Sequence, residues 1–278
     1  MRYSISSRFR GTLLGAMLGE ITEQVSIQTA KCLVPGMHSL IELGRFEQQH
    51  WQEKLLSAAL IPEIVPAIAT LPLALFYHEN KPKLKQNLLA SASIWQDKPV
   101  IKESILTVGY AIAQALSEKL KSAQLIPQIL NFIETPQTDL TYKLNQVQEL
   151  LTQGAGLEAA LAKFCPNEPL TTSIALGFYC FLSSKEDFNL AVKRARRSQQ
   201  PLASAIAGAL SGAYNSAASI SSSWQAALAT DRNSTEKEVL QLSDSLFAVW
   251  SGVYDYKLHP AELVTTTVAC APRVIRLR

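Results

Sequence analysis

The sequence predicts an all-α fold: a single compact multi-helix domain over residues 1–254, with a C-terminal tail over 255–278 that packs on the domain or on a partner. Three observations lead there. Apolar residues recur at three- and four-residue spacing along most of the chain. Prolines and glycines punctuate those stretches. Two segments near opposite ends carry small residues four apart: Gly11, Gly15 and Gly19 in one, and Ser204, Gly208, Gly212 and Ser216 in the other. The second stripe is flanked by Ala205, Ala209, Ala213 and Ala217. Residues four apart share one helix face, so each segment is a helix with a face nearly free of side chains. Glycine costs roughly 1 kcal/mol relative to alanine inside a helix. Both stripes therefore predict close helix–helix approach near the centre of the domain.

Composition supports a globular chain. Hydrophobic residues make up 47% of the 278 and charged residues 18%, which excludes disorder. A net charge of +3 is too small to argue for nucleic acid, and the basic residues lack interleaved aromatics. Cys32, Cys165, Cys180 and Cys270 include no C-x-x-C pair, so neither a zinc site nor a disulfide framework is expected, and a reducing cytoplasm is the default. The opening apolar run is broken by its three glycines and does not read as a signal peptide. The most apolar stretch, 58–76, carries Glu63 and Pro62, Pro66 and Pro72, which argues against a membrane span.

In chain order, the first helix is expected over 8–23, with Phe9, Leu13, Ala16 and Met17 at helical spacing. Residues 24–57 read as mostly helical around a break at Pro35–Gly36. His38 and His50 lie here, as surface or capped histidines rather than metal ligands. Pro72 suits the first turn of a helix, where its missing N–H costs nothing extra. Further helices are expected at 84–96 and from Pro99 to about Leu120, the latter with Ile101, Ile105, Val108, Ile112 and Leu116 inward. Shorter ones follow at 124–134, 139–152 and 156–164. Thr171–Leu182 reads as a buried helix. The helix over 184–197 has Asp187 at its start and Lys193, Arg194, Arg196 and Arg197 at its end, an order that suits the helix dipole with the arginines in solvent. The central helix spans 203–217 and the last one 235–253. In the tail, Leu263–Val268 has strand propensity.

Several of these segments resemble the ADP-ribosylglycohydrolase family. Ala203–Tyr214, ASAIAGALSGAY, is similar to the family helix reading AAIAGALAGA, which follows a Gly-Gly-Asp-x-Asp-Thr turn. Arg8–Glu20, RFRGTLLGAMLGE, is similar to the opening helix RxxGxLLGxAxGDAxG. Ala67–Tyr77 looks like the MRIAPLALLY segment, Thr171–Leu182 like the helix before the metal turn, and Ile220–Trp224 like Ile-Pro-x-x-Trp without its proline. Trp95–Gln96 stands where the family often has Thr-His ahead of a proline, here Pro99. The likeness spans residues 8–253.

The resemblance implies an all-α protein that holds two magnesium ions and cleaves ADP-ribose from a protein side chain or small molecule. It also exposes departures. The two aspartates of the metal turn fall on Gln199 and Pro201, the aspartate of the opening helix falls on Glu20, and no Asp precedes Asp97, where the family carries a Thr/Ser-Asp-Asp-Thr motif. Magnesium needs hard, mainly anionic oxygens in near-octahedral array. The expectation is therefore a chain with no metal cofactor, acting as a binding or scaffold module with a protein partner and an ADP-ribose-like ligand. The alternative is a divergent ADP-ribosyl hydrolase. Glu20 is the remaining candidate for catalytic acid–base work, and Arg196, Arg197 and Gln199 are the candidates for ligand binding. No nucleic acid and no membrane are expected as partners.

Overall fold

The structure, a computed structural model, describes residues 3–20, 28–57, 66–95, 98–134, 138–164, 168–224 and 234–253. Every regular element among them is helical. In the first half these are α1 (Ile5–Glu20), α2 (Gln28–Leu43), α3 (Gln48–Ser57), α4 (Pro66–Ala69), α5 (Leu71–Tyr77), α6 (Lys81–Ala92) and α7 (Pro99–Leu116). The second half contributes α8 (Ser122–Ile133), α9 (Asp139–Thr152), α10 (Leu157–Lys163), α11 (Pro169–Leu182), α12 (Phe188–Arg196), α13 (Pro201–Asn215) and α14 (Ser234–Ser251). Short 3-10 turns occupy Ser93–Trp95 and Ala217–Ser219. None of the described helices is long and apolar enough to cross a membrane.

Three helices make the centre. Burial is continuous from Gly11 to Gly19 in α1, from Thr171 to Leu182 in α11 and from Leu202 to Ala213 in α13. A helix buried on all sides needs neighbours on all sides. For α13 these are α1 on one flank, where Gly208 meets Gly15, and α11 on another, where Gly177 meets Ala203 and Ile206. Beside this trio lies α7, buried without a break from Glu103 to Ala113, and the remaining helices form a shell. On one side α14 packs against α1 and α2, with Phe247 and Trp250 in a ring cluster with Phe9 and His78. On another, the buried Arg8 donates from Nη1 to the Ala115 and Leu116 carbonyls at 2.9 and 3.2 Å and pairs with Glu118 at 2.5 Å. That arginine adds donors at the C-terminal carbonyls of α7, of which Ala115 also accepts from the Glu118 N–H.

Local chemistry sets several boundaries. Pro72 falls in the first turn of α5, as expected. Asn80 caps α6 by accepting from the Lys83 N–H at 3.0 Å. Asp187 caps α12 by accepting from Leu190 at 2.9 Å, so that helix begins at Phe188 rather than at 184. Asp139–Thr152 forms one helix with the limits expected of it.

One expectation is overturned. The chain does not break at Pro35–Gly36; α2 runs through both. The reason lies in α3. A Cβ at position 36 would overlap the Trp51 indole, and Trp51 is fully buried. Gly36 seats that ring against a continuous helix. The boundaries of α1 and α13 also move, to Ile5–Glu20 and Pro201–Asn215. The expectations for the tail, 255–278, and for its Leu263–Val268 segment lie outside the described residues.

Candidate functional site

The two glycine stripes meet face to face and antiparallel. A Cβ at Gly11 would overlap Gly212 and the 216–217 peptide; one at Gly15 would overlap the Gly208 carbonyl; one at Gly19 would overlap the Ser204 carbonyl. The reciprocal holds for Gly208 and Gly212. Backbone rests on backbone along the whole contact, with room only for Cα hydrogens against carbonyl oxygens. This register brings the C-terminal end of α1, with Glu20, to the N-terminal end of α13 and the turn before it, Arg197–Gln200. The sequence places its candidate residues at this same end.

Each of them has a defined setting. Glu20 is half-buried, and its Oε2 accepts from the Thr29 N–H at 2.8 Å in the first turn of α2. A carboxylate there satisfies an orphan helix donor and complements the dipole. Arg196 does not face solvent, contrary to the expectation. Its Nη2 donates to the Leu18 carbonyl at 2.6 Å, and its guanidinium lies 4.6 Å from the Trp224 ring centroid. Burial lowers its pKa below the ordinary arginine value. Arg197 is exposed and pairs with Glu158 at 3.3 Å. Gln199 is exposed and holds a left-handed backbone, φ 54°. Its neighbour Gln200 turns inward, where Oε1 accepts from the Ser173 hydroxyl at 2.6 Å.

The donor set here does not fit magnesium. The turn supplies two amides and a proline, of which Gln200 is engaged with Ser173. Among the described residues the carboxylates at this end are Glu20, engaged with α2, and Glu158, paired with Arg197. Among the described residues no three His, Cys, Asp or Glu side chains cluster as a metal site would need. Magnesium held by one carboxylate and neutral amides would keep nearly all of its water and bind weakly.

Three further constellations escaped sequence reasoning. Ser39 Oγ lies 2.9 Å from His50 Nδ1, and His50 Nε2 lies 3.0 Å from Glu42, an array with the outline of a hydrolytic relay. Ser39 has no exposed surface, so no substrate reaches its hydroxyl. The buried Lys143 donates to Thr171 and Thr172 at 2.9 Å each and pairs with Asp139 at 2.7 Å, which ties α9 to the first turn of α11. Arg194 lies with its guanidinium over Tyr179, whose hydroxyl donates to the Ala155 carbonyl at 2.5 Å. The contacts of Lys143 with α11 and of Tyr179 with Ala155 and Arg194 join different helices, and no spacing within one helix announces them.

Neither of the two thiols among the described residues is a nucleophile. Burial pushes Cys32 up to about 12, with the Glu20 charge adding to the shift, and burial pushes Cys180 up to about 12 against a smaller opposing pull from Arg194. Neither forms a thiolate near neutral pH.

Comparison with known proteins agrees with this architecture. The family model described as ADP-ribosylglycohydrolase matches residues 34–255. Among solved structures, a chain of an "ADP-ribosylglycohydrolase-related protein complex" is similar in fold, with a TM-score of 0.62 at 15% identity, covering 88% of this chain and 99% of that one. No curated protein matches.

Proposed function

This chain belongs to the ADP-ribosylglycohydrolase family, and from that premise we propose that it is a catalytically degenerate member acting as a binding or scaffold module. One observation carries the reading: Glu20, the single acid at the end of α1, is spent on the N–H of Thr29, while the turn before α13 offers amides and a proline. Hydrolysis assisted by two metal ions needs several carboxylates to hold the ions and one to activate water. A lone glutamate that caps a helix supplies neither. Arg197 and Gln199 remain exposed at this end, and they are the groups that an ADP-ribose-like ligand would meet. Arg196 is already committed to Leu18 and Trp224 and orders the turn instead. The partner on this reading is another protein, and the setting is the cytoplasm.

Calorimetry with magnesium and manganese, run beside an assay of ADP-ribosylated protein and small-molecule substrates, tests the proposal. Neither ion should bind at millimolar concentration, and the substrates should stay intact. Saturable magnesium binding, or turnover that Glu20→Gln abolishes, overturns it in favour of a divergent hydrolase.

A further inference from the structure

A second concavity lies on the far side of α11. Tyr179 sits two residues from Gly177, about half a helical turn round α11, so it faces away from α13. Past it opens a cavity of about 530 Å³, walled by the start of α8, the end of α9, the 154–156 turn and the end of α11. This volume falls in the range of small-molecule sites. Its lining mixes apolar walls, among them Leu151 and Leu182, with five polar side chains: Thr152 and Ser183 donate to carbonyls of their own helices, and the other three are Ser122, Gln148 and Arg194.

Those three side chains share a feature. Ser122 Oγ, Gln148 Oε1 and Arg194 Nε are all shielded from solvent, and none has a hydrogen-bond partner. Polar atoms withdrawn from water without partners cost about 1–3 kcal/mol each, and all three belong to side chains that line this one cavity. Arg194 adds a full positive charge. Its one hydrogen bond goes to a neutral phenol, Tyr179 Oη at 3.2 Å, and it makes no ion pair with any described carboxylate. The phenol in turn is fixed on the Ala155 carbonyl, so the guanidinium is held in place beside the opening. At the opposite wall α8 begins at Ser122 without a side-chain cap, and its first N–H groups are open to an acceptor.

We propose that this cavity binds a small organic anion, with its oxyanion between Arg194, the Ser122 hydroxyl and the start of α8, and its apolar body against Leu151 and Leu182. Phosphate and carboxylate share this chemistry. A guanidinium fork and a helix N-terminus recognise either. Gln148 would take a hydroxyl or amide elsewhere on the ligand. Arg194 stands three residues before Arg197, so the cavity neighbours the turn before α13, but none of its lining residues belongs to that turn.

The test uses the full-length protein and two probes, inorganic phosphate and benzoate, followed by nuclear magnetic resonance. Saturable shifts at the Ser122, Ala123 and Gly156 amides and at the Arg194 Nε–H are expected with at least one probe. Phosphate alone would assign a phosphate ester, and benzoate alone a carboxylate. Gly156 makes the control possible, because a Cβ there meets no atom within 4 Å and its φ of −75° suits any residue. Gly156→Phe should fill the cavity and abolish the shifts while leaving the melting temperature unchanged. Arg194→Gln should weaken binding at least tenfold. No saturable response to either probe, or full binding retained in Gly156→Phe, overturns the proposal.

Discussion

Arg196 at the end of α12 and Leu18 in the last turn of α1, 178 residues apart in sequence, are joined by a guanidinium-to-carbonyl hydrogen bond of 2.6 Å. The bond closes a carbonyl that α1 leaves open, and Trp224 covers the guanidinium. Hydrogen bonds to charged groups contribute about 1.5–3 kcal/mol. Arg196→Gln should therefore lower stability in urea melts by that amount, and Arg196→Lys should recover only part of it, because an ammonium lacks the planar stack on Trp224. A loss below about 0.5 kcal/mol, the range of ordinary surface changes, would mean that the arginine points into solvent.

At the α1–α13 contact, Gly208→Ala should be costly. The new methyl would overlap the Gly15 carbonyl, a backbone group that cannot rotate away. Overpacking of this kind costs about 1–3 kcal/mol, occasionally more. Gly156→Ala is the internal control, with open space at its Cβ, and should change the melting temperature little. Equal effects at the two positions would contradict the packing described.

Alkaline pH should weaken the fold through its buried thiols. Cys32 and Cys180 have folded pKa values raised to about 12 from an ordinary value of 9.0. A raised pKa gives stability that is complete below the unfolded value and is lost as pH climbs. Between about pH 9 and pH 12 each thiol should contribute a slope approaching ~1.4 kcal/mol per pH unit. Tyr179 and Tyr110, also raised by burial, act in the same direction. Melts of Cys180→Ala should show a shallower decline than the parent. A parallel decline would place that thiol in water.

Gln199 holds φ 54° without the glycine that such a backbone favours. Left-handed backbone costs a non-glycine residue roughly 1–2 kcal/mol. Gln199→Gly should recover part of this and raise the melting temperature; a fall would show that the glutamine side chain makes a contact worth more than the strain.

Helices were legible where their signals are local. Asp139–Thr152 has a threonine cap, an apolar stripe and a glycine stop within seventeen residues, so its limits could be read directly. The glycine stripes of α1 and α13 announced close approach because each stripe is visible within one helix. Pro35–Gly36 misled because the glycine answers to Trp51 in another helix, and only the assembled core shows why the chain continues. The arginines misled for the same reason. Their position at the end of α12 fits a dipole argument, yet Arg196 turns to α1 and Arg194 to α11, directions that no helical wheel of α12 records. At the site, the absence of aspartates could be counted, whereas the engagement of Glu20 with α2 depends on where Thr29 lands.

The glycine contact between α1 and α13 also sets an order of events. During synthesis α1 emerges roughly 190 residues before the strip of backbone it rests on, a separation that makes the contact slow to form. Until α13 arrives, a helix buried from Gly11 to Gly19 in the finished protein has nothing of the right shape to cover it. The nascent chain must therefore carry this helix unmatched through most of translation, and a chain stopped anywhere before Pro201 would lack the piece that closes its centre.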